Sequence, residues 1–225
     1  SFSIILYLSL MNESPFQQSL HEELIELIRL FHQRGWSLAT STNYSFRNPQ
    51  QDTITITSSG LDKSKISPGD LMIIDKNGEA IEGFLHLKPS AETLIHTFLY
   101  EDTQVNAILH THSWAGTVLS RFFQSQGKIR MAGYEVLKGL SGLNTHQSHF
   151  DLPIFENSQD MIELCERLRE YDQKKGLQYG FLLAGHGLYT WGNSIAEAKR
   201  HMETLEFLME CEYRMMALKA VQVSP

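Results

Sequence analysis

The stretch "VNAILHTHSWAG" (105–116) ends an apolar run in two histidines separated by one residue. Side chains at i and i+2 of a strand share a face, so His110 and His112 are expected to project together from the end of a buried strand. Their ring nitrogens would then be able to meet one ion. Two imidazoles do not complete a catalytic zinc site, which takes three protein ligands and keeps one position open. The strongest third candidate is His186 in "LLAGHGLY", which also ends an apolar strand and has glycine on both sides. Flanking glycines let backbone and substrate approach closely.

Ten histidines are present, and most have ordinary explanations. His21, His32, His96, His149 and His201 are read as surface or hydrogen-bonded residues, while His86 and His146 sit in loops where either role is open. An H-x-H pair occurs in several metal folds. Metallo-β-lactamase-like hydrolases need later ligands that "HTHSWAG" lacks, amidohydrolase barrels carry the pair near the start of longer chains, and cupins are all-β, whereas this chain is rich in helical patterns.

The elements that must position these residues follow from periodicity. "SLHEELIELIRLFHQRGW" (19–36) has apolar residues at helical spacing and stops at Gly35, and "TITITSSG" (53–60) alternates as a strand. "DLMIIDKNGEAIEG" (70–83) reads as a hairpin turning at Asn77-Gly78. A helix is expected over 90–101 with Ser90 as N-cap, then the strand at 105–111 and a short helix at 114–123. Residues 158–176 form a further helix, "YGFLLAGHGLYTWG" (179–192) two strands around a Gly-His-Gly turn, and 195–220 a long helix with a Ser194/Glu197 capping box. The pattern predicts an α/β chain of the α+β type, with a central, mostly antiparallel sheet flanked by helices.

With 225 residues and no internal repeat or linker, residues 11–225 are expected to form one domain. Residues 1–10, "SFSIILYLSL", are too short to span a bilayer and lack the charged start of a signal peptide, so they read as an upstream or artificially added extension. A net charge of -7 argues against sequence-independent nucleic-acid binding. Cys165 and Cys211 have no CxxC partner and are read as reduced thiols of a cytoplasmic protein. "GLSGLN" (139–144) has neither the dinucleotide nor the P-loop spacing.

Four motifs in order, "SSGLDK" (58–63), "KPSAETLIH" (88–96), "ILHTHS" (108–113) and "AGHGLYTWG" (184–192), resemble the class II aldolase family over residues 19–218. "GWSLATSTNYSFR" (35–47), "YEVLKGL" (134–140) and "LPIFEN" (152–157) look most like its dehydratase branch, which serves methionine salvage. The resemblance implies a homotetramer with active sites near subunit contacts and one Zn2+ per subunit on His110, His112 and His186, the three residues that strand geometry selects. It also implies a phosphate site at Thr40, Asn43, Ser59, Gly60, Lys63 and Ser90, although "TSTN" replaces the family's usual Gly-rich turn. These are short hydroxyl, amide and backbone donors with one lysine, suited to an anion in an otherwise acidic chain.

Two glutamates compete for proton transfer: Glu92 matches the carboxylate of the aldolases, and Glu135 the acid/base of the dehydratases. The resemblance favours Glu135, with Glu92 supporting the metal or substrate. The expected activity is therefore that of a zinc hydro-lyase acting on a methylthio sugar phosphate, with a sugar-phosphate aldolase or epimerase as the alternative. Trp114, Phe122, Tyr134 and Tyr189 are candidates for an apolar pocket around the methylthio group.

Overall fold

The computed structural model describes residues 14–49, 51–145 and 147–222. The extension expected at residues 1–10 lies outside them, as does His146. Helix α1 (Pro15–Gln33) starts earlier than the apolar pattern alone suggests, because Pro15 occupies the first turn and Ser14 caps it by accepting from Gln17 N–H. Its Leu24, Leu27, Ile28 and Phe31 are buried, and the chain leaves the helix at Gly35 with φ +76°.

Among the described residues eight strands follow: β1 (Tyr44–Arg47), β2 (Thr53–Thr57), β3 (Leu71–Asp75), β4 (Ala107–Thr111), β5 (Lys128–Ala132), β6 (His149–Phe155), β7 (Gly180–Leu183) and β8 (Gly187–Gly192). They form one sheet in the order β3-β2-β1-β4-β8-β7-β6-β5. Every pairing is antiparallel except β6 with β7. The helices α2 (Thr93–Leu99), α3 (Trp114–Phe122), α4 (Met161–Lys175) and α5 (Ile195–Gln222) complete the fold.

Alternation along β4 sorts its residues between two cores. Leu109 packs with α1, α3 and α5 through Leu24, Phe31, Leu119, Met202 and Leu205. Ile108 packs with α2 and α4 through Ile95, Phe98, Leu164 and Leu168. Each such buried aliphatic side chain stabilises the fold by about 1.5–3 kcal/mol. β4 is thus sandwiched on both sides, which is why it reads as a continuous apolar run.

Three local expectations are corrected. The Asn77-Gly78 turn forms, with Gly78 at φ +87°, but its returning limb is one bridge, Ile74 to Ala80, rather than a strand. Asp75 Oδ1 accepts from both Asn77 and Glu79 N–H, closing the turn through its side chain. Ser90 does not cap a helix: its hydroxyl accepts from Glu92 N–H within a turn, and α2 begins only at Thr93. In the capping box of α5, Ser194 accepts from Glu197 N–H, but Glu197 returns its bond to Asn193 N–H. Among the described residues, no helix is long and apolar enough to cross a membrane.

Candidate metal centre

His110 lies in β4 opposite Tyr189 of β8, and His112 follows the strand, its N–H held by Trp36 O at 2.8 Å. His186 sits in the tight turn between β7 and β8, its N–H bonded to Leu183 O at 3.0 Å. Gly187 is what lets this turn close onto β4. A Cβ there would fall 2.0 Å from Thr111 O, 2.8 Å from His112 Cδ2 and 3.1 Å from His110 Cε1.

The three side chains converge, each offering a ligand nitrogen within 4.8 Å of the others. His110 Nε2 is 2.8 Å from His112 Nε2 and 3.3 Å from His186 Nε2. His110 Nδ1 donates to Leu188 O at 3.0 Å, so the neutral ring keeps its Nε2 lone pair directed at its neighbours. His186 Nδ1 likewise meets Asn157 Oδ1 at 3.2 Å. Glu92 adds a carboxylate, with Oε1 3.0 Å from His186 Nε2 and Oε2 3.7 Å from His110 Nε2. A single proton can relieve only one of these contacts between electron-rich atoms, whereas one divalent cation relieves them all. The donor set therefore fits a metal ion.

Protonation states agree. Burial pushes His110 well below its ordinary value and His112 down to about 4, so both are in the neutral form that ligates metals. Burial opposes ionisation of Glu92, but the hydrogen bonds with His186 and the Asn43 amide favour the carboxylate and hold the carboxyl below the usual range. Tyr189, a candidate for the methylthio pocket, is fully buried and stacks on the His110 ring at 3.9 Å between centres. Trp114 and Phe122 are exposed on α3, and Tyr134 packs at the edge of the α5-side core.

Of the other sequence-selected residues, Asn43 joins the site directly, its Nδ2 donating to Glu92 Oε2 at 2.5 Å. Lys63 is fully buried, its Nζ bonded to Leu61 O at 3.2 Å. Burial lowers it to about 8 against the pull of Asp70 and Asp62, and its charge is felt at His112. Ser90 Oγ accepts from Glu92 N–H, and Ser59 N–H donates to Lys88 O. Gly60 is exposed at φ +75°, and Thr40 is in an exposed turn before Asn43. Thr42 takes the left-handed conformation (φ 73°), its hydroxyl donating to Ser37 Oγ.

Glu135 is elsewhere. It begins a short helical turn (Glu135–Gly139) packed on α5, where a Cβ at Gly139 would lie 2.1 Å from Thr204 Oγ1. That is the face of β4 marked by Thr111, opposite to His110. Glu135 is mostly exposed and paired with Lys138.

Two residues were missed by the sequence reading. His96 is fully buried and bonded to Asn43, and the signal was its position four residues after Glu92, on one side of a helix start. Glu206 is fully buried on α5 and accepts from Thr111 Oγ1 at 2.7 Å. Its signal was an acid set among the buried Met202, Leu205 and Met209.

A sheet flanked by helices, with three imidazoles and a carboxylate at the end of its central strand, defines a class that likeness to known proteins identifies. The class II aldolase and adducin N-terminal domain family matches residues 22–213, and the chain belongs to it. Its relatives include the methylthioribulose-1-phosphate dehydratase of Picosynechococcus sp., 44% identical over 92% of this chain and 95% of that protein. The enzyme of the same name from Marinobacter nauticus is 41% identical over 88% and 94%. Among solved structures, Escherichia coli YgbL superposes with a TM-score of 0.72 at 26% identity, over 89% of this chain and 91% of that one. The l-fuculose-1-phosphate aldolase of Thermus thermophilus shares the fold at a TM-score of 0.71 and 22% identity, over 90% and 98%.

Proposed function

We propose that this chain dehydrates 5-methylthioribulose 1-phosphate to 2,3-diketo-5-methylthiopentyl 1-phosphate in methionine salvage. The observation that carries the reading is the convergence of His110, His112, His186 and Glu92 in a chain 44% identical to a dehydratase of that name. The proposal includes a cytoplasmic homotetramer, a single functional domain over residues 11–225 and one zinc ion per subunit on the three histidines. Zinc in that place supplies Lewis acidity beside the substrate carbonyl, making the neighbouring C–H acidic.

The remaining work falls to this chain's own groups. A carboxylate takes the C3 proton and, once protonated, hands it to the departing C4 hydroxyl, which leaves as water; the enol so formed ketonises to the diketone. General acid–base catalysis of this kind contributes about 10²–10⁴-fold. We assign it to Glu135. Because Glu135 lies on the face of the sheet opposite to His110 in its own subunit, we infer that it serves the site of a neighbouring copy. Glu92, fixed by Asn43, orients the substrate hydroxyls beside the histidines. Lys63 supplies the positive charge for the phosphate, and the turns at Thr40, Asn43, Ser59, Gly60 and Ser90 supply hydroxyl and amide donors.

One observation favours a second reading. Glu92 is the carboxylate that touches the histidines within one copy, as a retro-aldol cleavage of a sugar phosphate with Glu92 as base would require. Glu135→Gln and Glu92→Gln separate the two. Loss of diketone formation in Glu135→Gln supports the dehydratase; a fully active Glu135→Gln beside a dead Glu92→Gln supports the aldolase.

A further inference from the structure

Behind Glu92 runs a chain of buried polar side chains, of which the proposed chemistry uses only Asn43. Asn43 Nδ2 meets Glu92 Oε2 at 2.5 Å, and Asn43 Oδ1 meets His96 Nε2. His96 Nδ1 lies 2.7 Å from Ser45 Oγ, which is itself 2.8 Å from the Tyr100 hydroxyl. Asn43, Ser45, His96 and Tyr100 are all buried.

Each bond in this chain has only one allowed direction. An ionised carboxylate accepts and never donates, so Asn43 must turn its amide nitrogen to Glu92 and its carbonyl to His96. His96 must then carry its proton on Nε2, leaving Nδ1 to accept from Ser45. Ser45 has one hydroxyl proton and spends it there, so Tyr100 donates to Ser45. Burial pushes His96 down to about 3, so the ring stays neutral and holds a single proton, as the chain requires. Tyr100, raised by burial, keeps its hydroxyl proton. His96 also packs edge-on against Tyr189, the ring stacked on His110, which fixes its plane.

From this geometry we propose that His96 is a positioning residue of the reaction: through its Nε2–H it locks the Asn43 amide, which in turn holds Glu92 facing the three histidines. Without that donor the Asn43 amide is free to flip and would present its carbonyl oxygen to the carboxylate. Glu92 would then turn from its place 3.0 Å from His186. The proposal rests on the reading of this site as a metal-dependent lyase, but its first test does not.

That test is nitrogen-15 NMR of histidine-labelled, zinc-loaded full-length protein, with the His96 signals assigned by their absence from His96→Gln. A pyrrole-type Nε2 and a pyridine-type Nδ1, unchanged from pH 6 to pH 8 (roughly the range in which a free imidazole titrates), are expected. The opposite tautomer or a cationic ring overturns the proposal. The second test is kinetic. His96→Leu is expected to lower kcat about 10–100-fold, the usual effect of removing an outer-shell partner, with KM little changed and zinc content equal to wild type. His96→Gln, whose amide nitrogen can donate to Asn43, is expected to recover most of that loss. Equal damage from both substitutions, or loss of zinc from His96→Leu, overturns the positioning role. If wild type fails to turn over 5-methylthioribulose 1-phosphate, the lyase reading fails, while the tautomer still decides the arrangement around Asn43.

Discussion

Replacing Glu206 by glutamine should shift the stability difference between variant and wild type in the variant's favour as pH rises from 4.5 to about 7. Glu206 is fully buried beneath β4, with Thr111 Oγ1 donating to its Oε1, while Oε2, near the Ser113 hydroxyl, makes no well-formed hydrogen bond among the described residues. Burial raises this carboxyl from 4.5 to about 7, more than the hydroxyls of Ser113 and Thr111 can offset. With the folded pKa above the unfolded one, the native state binds the extra proton between the two values. Stability is therefore full below 4.5 and is lost as pH rises towards 7. Above both values the loss amounts to about 3 kcal/mol. Glutamine keeps the carbonyl acceptor for Thr111 and cannot ionise. Its amide nitrogen adds an unpaired donor costing about 1–3 kcal/mol, but that offset does not depend on pH. The diagnostic is thus the change in the stability difference across pH 4.5–7. Urea unfolding of both proteins, at fixed chain and metal concentration, should show the difference moving by about 3 kcal/mol in favour of the variant. Parallel pH profiles would mean that the carboxyl titrates normally in the folded chain, and the reasoning from burial would be wrong.

Further outcomes are expected of the site itself. Gly187→Ala drives a Cβ into Thr111 O and His112; it should cost about 1–3 kcal/mol or more by overpacking and weaken zinc binding, measured by metal content after dialysis. Chelation should lower the thermal midpoint and abolish turnover, and zinc at a hundredfold excess over its Kd should restore about 2.7 kcal/mol of stability. Glu135→Gln and His112→Ala, each inactive alone, should regain about a quarter of wild-type activity when co-assembled at random in a symmetric oligomer. No recovery in the mixed oligomer would refute the placement of Glu135 across a subunit contact.

Much of the fold was legible because its signals are local. The apolar run of β4, the Gly-His-Gly turn and the amphipathic α1 and α5 each declare themselves within a dozen residues. β1, β5 and β6 do not: "YSFR" is four residues long, and "KIRMA" and "HFDLPIF" gain their strand character from partners far along the chain. The same divide runs through the site. H-x-H and a glycine-flanked histidine point to a metal from spacing alone. His96 and Glu206 look ordinary in sequence, since their importance depends on which face of α2 and α5 is turned inward and on what waits there. Glu135 could be matched to a motif, but which sheet face its turn would occupy was set by packing against α5.

The proposed dehydration requires three imidazoles to hold one zinc ion at the site that forms the diketone. The most direct measurement is the rate of 5-methylthioribulose 1-phosphate dehydration by chelator-stripped protein as zinc is added stepwise. The rate should climb from zero and level off at one zinc per chain, and a His110→Ala chain should stay inactive at every addition. Diketone formed at full rate by the stripped protein, or by the His110→Ala chain, would contradict it.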